Sequence, residues 1–164
     1  MLDAIELLRQ RRGVDDLQFI VMGGGALREK FEQRAKERGL PLIFTGPLPY
    51  ADMVPLLCSC DIAVNPIVNG SAASIINKVC DYAAAGLPVV NTQECPEYRE
   101  LVDGYQMGIN CENGNVQALA DAIRLLAGDE ALRKRMGANN RRLAEERFDR
   151  AEGFKKIIGL IEGE

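Results

Sequence analysis

The sequence predicts an α/β fold in which a parallel sheet lies between two layers of helices. Short apolar segments alternate with helical segments along most of the 164 residues, a pattern typical of a parallel sheet covered on both faces. The run Gly23-Gly24-Gly25 directly follows an apolar segment, as suits the turn from a strand into a helix. A hydrophobic share of 47% is enough for one buried core, so we expect a single domain over residues 1–164.

The pattern assigns the elements in chain order. Strands are predicted at 18–22, 42–45, 61–65, 88–91 and 108–111. Helices are predicted at 2–11, after Gly25 with Leu27, Phe31 and Ala35 on one face, after an Asp52 cap with Pro55 in the first turn, and at 74–85, 96–102, 116–127, 129–147 and 151–162. A break is expected at Gly137 within the helix over 129–147.

The stretch from Asn65 to Val90 combines a strand end, a small polar loop and a helix. Ser74 is the expected N-cap of this helix and Gly86 the expected left-handed residue after its end. The first amides of a helix have no partner within the helix and favour negative charge. We therefore expect the loop with Gly70 and Ser71 to bind a phosphate, with Lys78 and Asp81 beside it.

Composition excludes several kinds of function. The chain has a net charge of −4 and no histidine, which argues against nucleic acid as a partner and excludes a histidine base or a histidine-containing zinc site within these residues. Five cysteines lack a C-x-x-C pair, so we expect reduced thiols, a cytoplasmic location and no metal. We expect neither a signal peptide nor a membrane span.

The run from Asn77 to Val90, N-K-V-C-D-Y-A-A-A-G-L-P-V-V, resembles the signature of retaining GT-B glycosyltransferases of the family-4 type. In that family, an acidic residue that ends an E-x7-E motif contacts the donor ribose, and Asp81 takes this place. The position of the first motif Glu is Ala73, so its role on the transferred sugar has no counterpart at that position. Variants with N-K-x-x-D/E-Y-x-A-A-G-x-P occur among bacterial surface-polysaccharide transferases, which this chain resembles.

The resemblance implies a Rossmann-like domain, the C-terminal, donor-binding half of a GT-B fold. It places the diphosphate near the small-residue loop and the following helix, at Gly70, Ser71, Ser74, Ile75 and Lys78. Two readings of Lys78 stay open: it neutralises a phosphate, or it pairs with Asp81 one turn away. Backbone groups of Thr45, Gly46 and Pro47 either meet the base or form a plain turn.

The resemblance also implies that a first strand and an N-terminal acceptor domain are missing from these residues. The missing strand belongs in the middle of the family's sheet. Either the two strands that flank it pair with each other, or the sheet keeps a gap that a neighbouring chain fills. The apolar stripe Phe154, Ile157, Ile158 and Ile161 would then be partly exposed and favour self-association.

The predicted function is donor binding in a retaining, metal-independent transfer of a hexosyl or N-acetylhexosaminyl group from a nucleotide sugar, with a UDP-sugar expected as donor. The resemblance implies a role in bacterial capsular polysaccharide or lipopolysaccharide synthesis, at the inner face of the membrane in the full-length protein. Alone, the chain is expected to bind donor weakly and to be inactive. The alternatives are a nucleotide-sugar epimerase of the same architecture, which the absence of histidine disfavours, and a non-catalytic binding module, which Ala73 favours.

Overall fold

The computed structural model describes residues 1–10, 16–68, 70, 73–149, 151, 154–155, 158–159 and 161. Strands and helices alternate along these residues as the sequence predicts. In chain order the elements are α1 (Leu2–Arg9), β1 (Phe19–Met22), α2 (Arg28–Glu37), β2 (Leu42–Gly46), α3 (Tyr50–Cys58), β3 (Ala63–Asn65), α4 (Lys78–Ala84), β4 (Val89–Asn91), α5 (Pro96–Tyr105), β5 (Gly108–Asn110), α6 (Val116–Gly128) and α7 (Glu130–Leu143), which continues as a π-helical turn over Ala144–Phe148.

The strands form two parallel sheets, β1–β2 and β3–β4–β5, in the part of the chain that the structure describes. The parallel arrangement confirms the predicted fold class. β1 and β3 do not pair with each other, so the described strands do not form one continuous sheet. Each of these strands consequently has one edge without a strand partner among the described residues.

Helices cover both faces of the strands and give the predicted three layers. On one face, α1 and α6 bury Ala4, Leu8 and Ile123 against Val90 of β4. On the other face, Leu57 of α3 lies in one cluster with Ala63 and Val89. Side chains from both sheets share these clusters, since Phe19 packs against the first and Met22 against the second. The apolar core is therefore continuous across the gap in the backbone pairing.

Two predicted helix starts are wrong. α4 begins at Lys78, after the cap position Asn77, and not at Ser74. Tight turns form at its start, since the Val79 amide donates to the Ile76 carbonyl and the Cys80 amide donates to the Asn77 carbonyl. α3 begins at Tyr50, so Asp52 lies within the first turn instead of capping the helix, and Pro55 is interior.

α7 holds the end of α4, and this contact explains why Gly137 does not break α7. A Cβ atom on Gly137 would lie 2.2 Å from the carbonyl oxygen of Gly86. About one turn after Gly137, Nδ2 of Asn140 donates to the Leu87 carbonyl at 2.7 Å and Nη1 of Arg141 donates to the Ala84 carbonyl at 2.7 Å. Gly137 is thus needed for close packing, and the predicted break is absent. Gly86 has φ +67°, which confirms the left-handed turn.

Part of the predicted C-terminal helix over 151–162 lies outside the described residues. The described ones, 151, 154–155, 158–159 and 161, are helical, and Phe154, Ile158 and Ile161 are exposed. Ile157 is not described. Among the described helices, none combines the length and apolar character that a membrane crossing requires.

Candidate functional site

Each strand of the β3–β4–β5 sheet ends on an asparagine, and the three asparagines lie in register. Nδ2 of Asn65 donates to Oδ1 of Asn91 at 2.9 Å, and Nδ2 of Asn91 donates to Oδ1 of Asn110 at 2.9 Å. Asn65 and Asn91 are fully buried. This asparagine ladder fixes the carboxyl edge of the sheet, the edge at which parallel α/β sheets bind ligands.

The loop from Pro66 to Asn77, here called the β3–α4 loop, is held at two points by side chains that follow β4 and β5. Oγ1 of Thr92 and Nδ2 of Asn113 both donate to the carbonyl of Ile67, at 3.0 and 2.6 Å. Nε2 of Gln93 donates to the carbonyl of Ser74 at 2.7 Å. The neighbouring strands therefore determine where the predicted phosphate loop begins and ends.

The predicted loop residues take different positions. Gly70 is exposed with φ +77°, a conformation that favours glycine. Ser74 contributes its carbonyl to the Gln93 contact and is not the N-cap that was predicted. Ile75 packs against the apolar cluster around Val79, and Ser71 lies outside the described residues. The loop amides thus precede the helix by several residues and are not its first turn.

Lys78 is the first residue of α4 and its ammonium group is partly buried. Removal from water lowers the pKa of Lys78 from its usual value, because burial disfavours the charged form. Its ammonium group makes no hydrogen bond or ion pair with a described residue, so the alternative in which it pairs with Asp81 is not what the structure has. A partly buried cation without a counter-charge is a suitable place for an anion.

Asp81 lies one turn further along α4 and faces the start of α3. The Tyr50 hydroxyl lies 3.5 Å from Oδ1 of Asp81. Burial, helped by the Asp81 carboxylate, raises the pKa of Tyr82 to about 12, so this phenol stays protonated at neutral pH. Oδ1 of Asp81 is thus a hydrogen-bond acceptor directed toward the start of α3.

The predicted residues Thr45, Gly46 and Pro47 form a second group at the end of β2. The Gly46 carbonyl accepts hydrogen bonds from the Thr45 hydroxyl at 2.9 Å and from the Gly23 amide at 2.9 Å. Both partners of this carbonyl are therefore groups of the protein itself. Pro47 lies against Gly24. α3 follows this group and carries Tyr50 to Asp81, which links the end of β2 to α4.

Arg28 belongs to the same group and was not predicted. Its guanidinium lies against Gly46, where a Cβ atom would be 2.8 Å from Nη1, and Gly46 has φ +74°. Nε of Arg28 is buried without a hydrogen bond, with Glu32 3.7 Å away. The second group therefore contains a positive charge that is only loosely paired.

Sequence reasoning also missed the polar side chains that hold the β3–α4 loop, namely Thr92, Gln93 and Asn113. One signal for the asparagine ladder was present, since Asn65 and Asn91 each close a predicted apolar strand. Among the described residues, no group of three or more His, Cys, Asp or Glu side chains converges as metal ligands would. The arrangement offers a cation for an anionic ligand and a carboxylate for hydroxyl groups.

Comparison with known families gives one match. A family model described as glycosyl transferases group 1 matches residues 1–129. No curated protein sequence matches the chain.

Comparison with solved structures finds the same fold in larger proteins. Sucrose-phosphate synthase from Thermosynechococcus elongatus is similar with a TM-score of 0.82 and 18% identity, over 99% of this chain and 41% of that one. Anabaena Alr3699/HepE, in complex with UDP, is similar with a TM-score of 0.77 and 19% identity, over 99% of this chain and 44% of that one. WaaG, a glycosyltransferase involved in lipopolysaccharide biosynthesis, is similar with a TM-score of 0.68 and 19% identity, over 98% of this chain and 51% of that one. The chain thus spans about half or less of each of these structures.

Proposed function

Because the chain belongs to the glycosyl transferases group 1, we propose that it is the part of a retaining glycosyltransferase that binds the nucleotide-sugar donor. The observation that carries this proposal is the uncompensated, partly buried ammonium of Lys78 beside a loop fixed at the carboxyl edge of a parallel sheet. A diphosphate supplies the missing negative charge there.

The donor is assigned along the edge of the sheets. The diphosphate lies between Lys78 and the β3–α4 loop, against Gly70, Ser71, Ser74 and the Ile75 amide. Asp81 accepts hydrogen bonds from the ribose hydroxyls. The base, which we propose to be uracil, lies toward Thr45, Gly46 and Pro47. The complex of HepE with UDP, which has the same fold over nearly the whole chain, supports this choice of ligand.

The catalytic contribution of these residues is electrostatic. As the bond between the sugar and the diphosphate breaks, negative charge grows on the phosphate oxygens, and a fixed cation such as Lys78 stabilises it. Since Lys78 can supply this charge, the proposed reaction requires no divalent metal. Retention of anomeric configuration is proposed from the resemblance of residues 77–90 to retaining enzymes.

We also propose that these residues work with an acceptor-binding domain and with one further strand between β1 and β3. The support is that the apolar clusters on both faces contain side chains from both sheets while the backbones of β1 and β3 do not pair. An unpaired strand edge is a template for a further strand, and a parallel strand between β1 and β3 would pair with both edges. The exposed side chains of Phe154, Ile158 and Ile161 give a surface for that domain or for self-association.

The proposed biological setting is the synthesis of a bacterial surface polysaccharide, by transfer of a hexosyl or N-acetylhexosaminyl group in the cytoplasm or at the inner face of the membrane. It is supported by the N-K-x-x-D-Y-x-A-A-G-x-P run of residues 77–88, which resembles transferases of that class. WaaG, of the same fold, is involved in lipopolysaccharide biosynthesis.

Calorimetric titration of the chain with UDP, GDP and NAD tests the proposed function. UDP is expected to bind at up to millimolar affinity, and both Lys78→Gln and Asp81→Ala are expected to weaken it about tenfold, the usual effect of losing one charged hydrogen bond. Lys30→Gln and Asp52→Ala change exposed residues of α2 and α3 and serve as matched controls. A variant with a β-branched strand joined before Met1 should bind UDP more tightly, since it fills the gap.

The outcomes identify the nucleotide and test the non-catalytic alternative. Binding of GDP in place of UDP would correct the base and leave the diphosphate site intact. Binding of NAD, unaffected by Lys78→Gln, would contradict the proposal and point to a different dinucleotide enzyme. If no nucleotide bound, even to the variant with the added strand, the non-catalytic binding module would be the better description.

A further inference from the structure

The segment that follows β4, residues 92–96, faces the β3–α4 loop across a small cavity. Thr92 and Gln93 of this segment bond the two ends of the loop, so the spacing between the segment and the loop is fixed by hydrogen bonds. The cavity has a volume of about 240 Å³. Its described lining is small or apolar, including Val68, Gly70, Ala73 and Pro96, except for the carboxylate of Glu94.

Glu94 is held in place on this wall. Its Oε1 accepts a hydrogen bond from the Asn113 amide at 3.2 Å and lies 3.5 Å from Nη1 of Arg99. Asn113 also bonds the Ile67 carbonyl, so the residue that positions Glu94 positions the loop as well. Oε2 of Glu94 makes no hydrogen bond with a described residue and retains its capacity to accept.

The chemistry of the cavity distinguishes its ligand from the anion at Lys78. A carboxylate repels phosphate at close range, so the diphosphate does not belong beside Glu94. Carboxylate oxygens accept hydrogen bonds from hydroxyl groups, and such charged bonds are stronger than neutral ones. Apolar neighbours such as Val68 and Pro96 suit the C–H faces of a sugar ring. Ala73, on the loop side of the cavity, has an apolar side chain, which leaves Glu94 as the carboxylate among the described lining residues.

We propose that Glu94 binds hydroxyl groups of the transferred sugar and thereby restricts the donor to neutral hexoses or N-acetylhexosamines, against uronic acids. This inference rests on the proposed function, because it takes the cavity at Gly70 as the sugar end of a nucleotide-sugar site. Glu94 is a specificity residue in this proposal. It acts on the sugar and not on the nucleoside diphosphate.

The test is calorimetric titration of the chain with UDP, UDP-glucose, UDP-N-acetylglucosamine and UDP-glucuronic acid. The unaltered chain should bind at least one of the two neutral donors more tightly than UDP, and UDP-glucuronic acid about tenfold more weakly than that donor. Glu94→Gln retains the acceptor for the Asn113 amide but removes the charge. It should weaken the neutral donor about tenfold, leave UDP within about twofold and reduce the discrimination against UDP-glucuronic acid.

Glu100→Gln is the matched control, since Glu100 is exposed on the nearby α5 and the same charge is lost; it should change none of the four affinities. The inference is overturned if Glu94→Gln weakens UDP and the sugar nucleotides equally, if it changes nothing, or if the unaltered chain binds UDP-glucuronic acid as well as the neutral donors. Failure of the unaltered chain to bind UDP would instead overturn the proposed uridine donor, a result distinct from any effect of Glu94.

Discussion

The two sheets of this molecule differ in how completely their strands are covered. In β4, Val89, Val90 and Asn91 are all fully buried, and β4 pairs on both sides. In the β1–β2 pair, Val21 is 38% and Ile43 44% exposed. α2, which follows β1, buries only Ala35 of its ten residues.

The difference shows which of the two sheets has more of its hydrogen bonds and apolar contacts formed within the described residues. The β3–β4–β5 sheet pairs its central strand on both sides and satisfies the polar ends of its strands through the asparagine ladder. β1 and β2 have one pairing and a smaller apolar cluster. Local stability follows buried contacts and satisfied hydrogen bonds, so we expect the two sheets to respond unequally to the same kind of change.

The largest effect is expected from Asn91→Leu in the middle of the ladder. Asn91 bonds Asn65, Asn110 and Gln93, so the substitution leaves several buried polar groups without partners. The free energy of unfolding in urea should fall by about 3 kcal/mol or more. Asn77→Leu changes an exposed asparagine without a side-chain capping bond and should cost no more than about 0.5 kcal/mol. Similar losses in the two variants would mean that the ladder adds no stability.

A smaller effect comes from the same truncation made in each sheet. Val90→Ala removes two buried methyl groups from the continuous core and should lower the free energy of unfolding by about 2 kcal/mol. Val21→Ala removes them from a partly exposed position and should cost less than about 1 kcal/mol. Urea denaturation of both variants measures the contrast directly. Equal costs would show that β1 is as well packed as β4.

The smallest effect tests the contact between α1 and the end of α2. Nη1 of Arg38 bonds Oδ1 of Asp3 at 2.6 Å, and this hydrogen bond lowers the pKa of the Asp3 carboxyl. A lowered pKa in the folded state means that the contact stabilises the fold above the usual Asp pKa and that this contribution is lost as the pH falls through the lowered value. Asp3→Asn should therefore reduce the Tm slightly at pH 7 and not at pH 2. The control is Asp52→Asn, and a difference between wild type and Asp3→Asn that persisted at pH 2 would contradict the argument.

The order and type of the described elements followed from the sequence, because each strand is a short apolar run bounded by Gly, Pro or Asn. Helix starts were less accessible. Ser74 has the chemistry of an N-cap, but its carbonyl is taken by Gln93, and the helix begins four residues later. Glycine predicts a break in the helix at Gly137, whereas the close contact with the distant Gly86 carbonyl requires a residue without a side chain there. In both cases contacts with residues distant in sequence override the conformational preference of the single residue.

For the candidate site, the sequence identified residues with recognisable local patterns, such as Gly70, Lys78 and Asp81. It did not identify Thr92, Gln93, Glu94 or Asn113, because their positions around the β3–α4 loop depend on the register between separate strands. That register is set by side chains far apart in sequence, such as Asn65 and Asn110. Only the asparagines at the ends of the predicted strands were visible beforehand.

The end of α4 gains its contacts with α7 only late in the synthesis of the chain. Asn140 bonds a carbonyl 53 residues earlier in the chain, and Arg141 one 57 residues earlier. At the usual rates of translation the ribosome takes roughly 3 to 10 seconds to add such a length. α7 also lies beyond the matched residues 1–129. The end of α4, the helix that carries Lys78 and Asp81, is therefore fully packed only after a segment beyond the matched residues has left the ribosome.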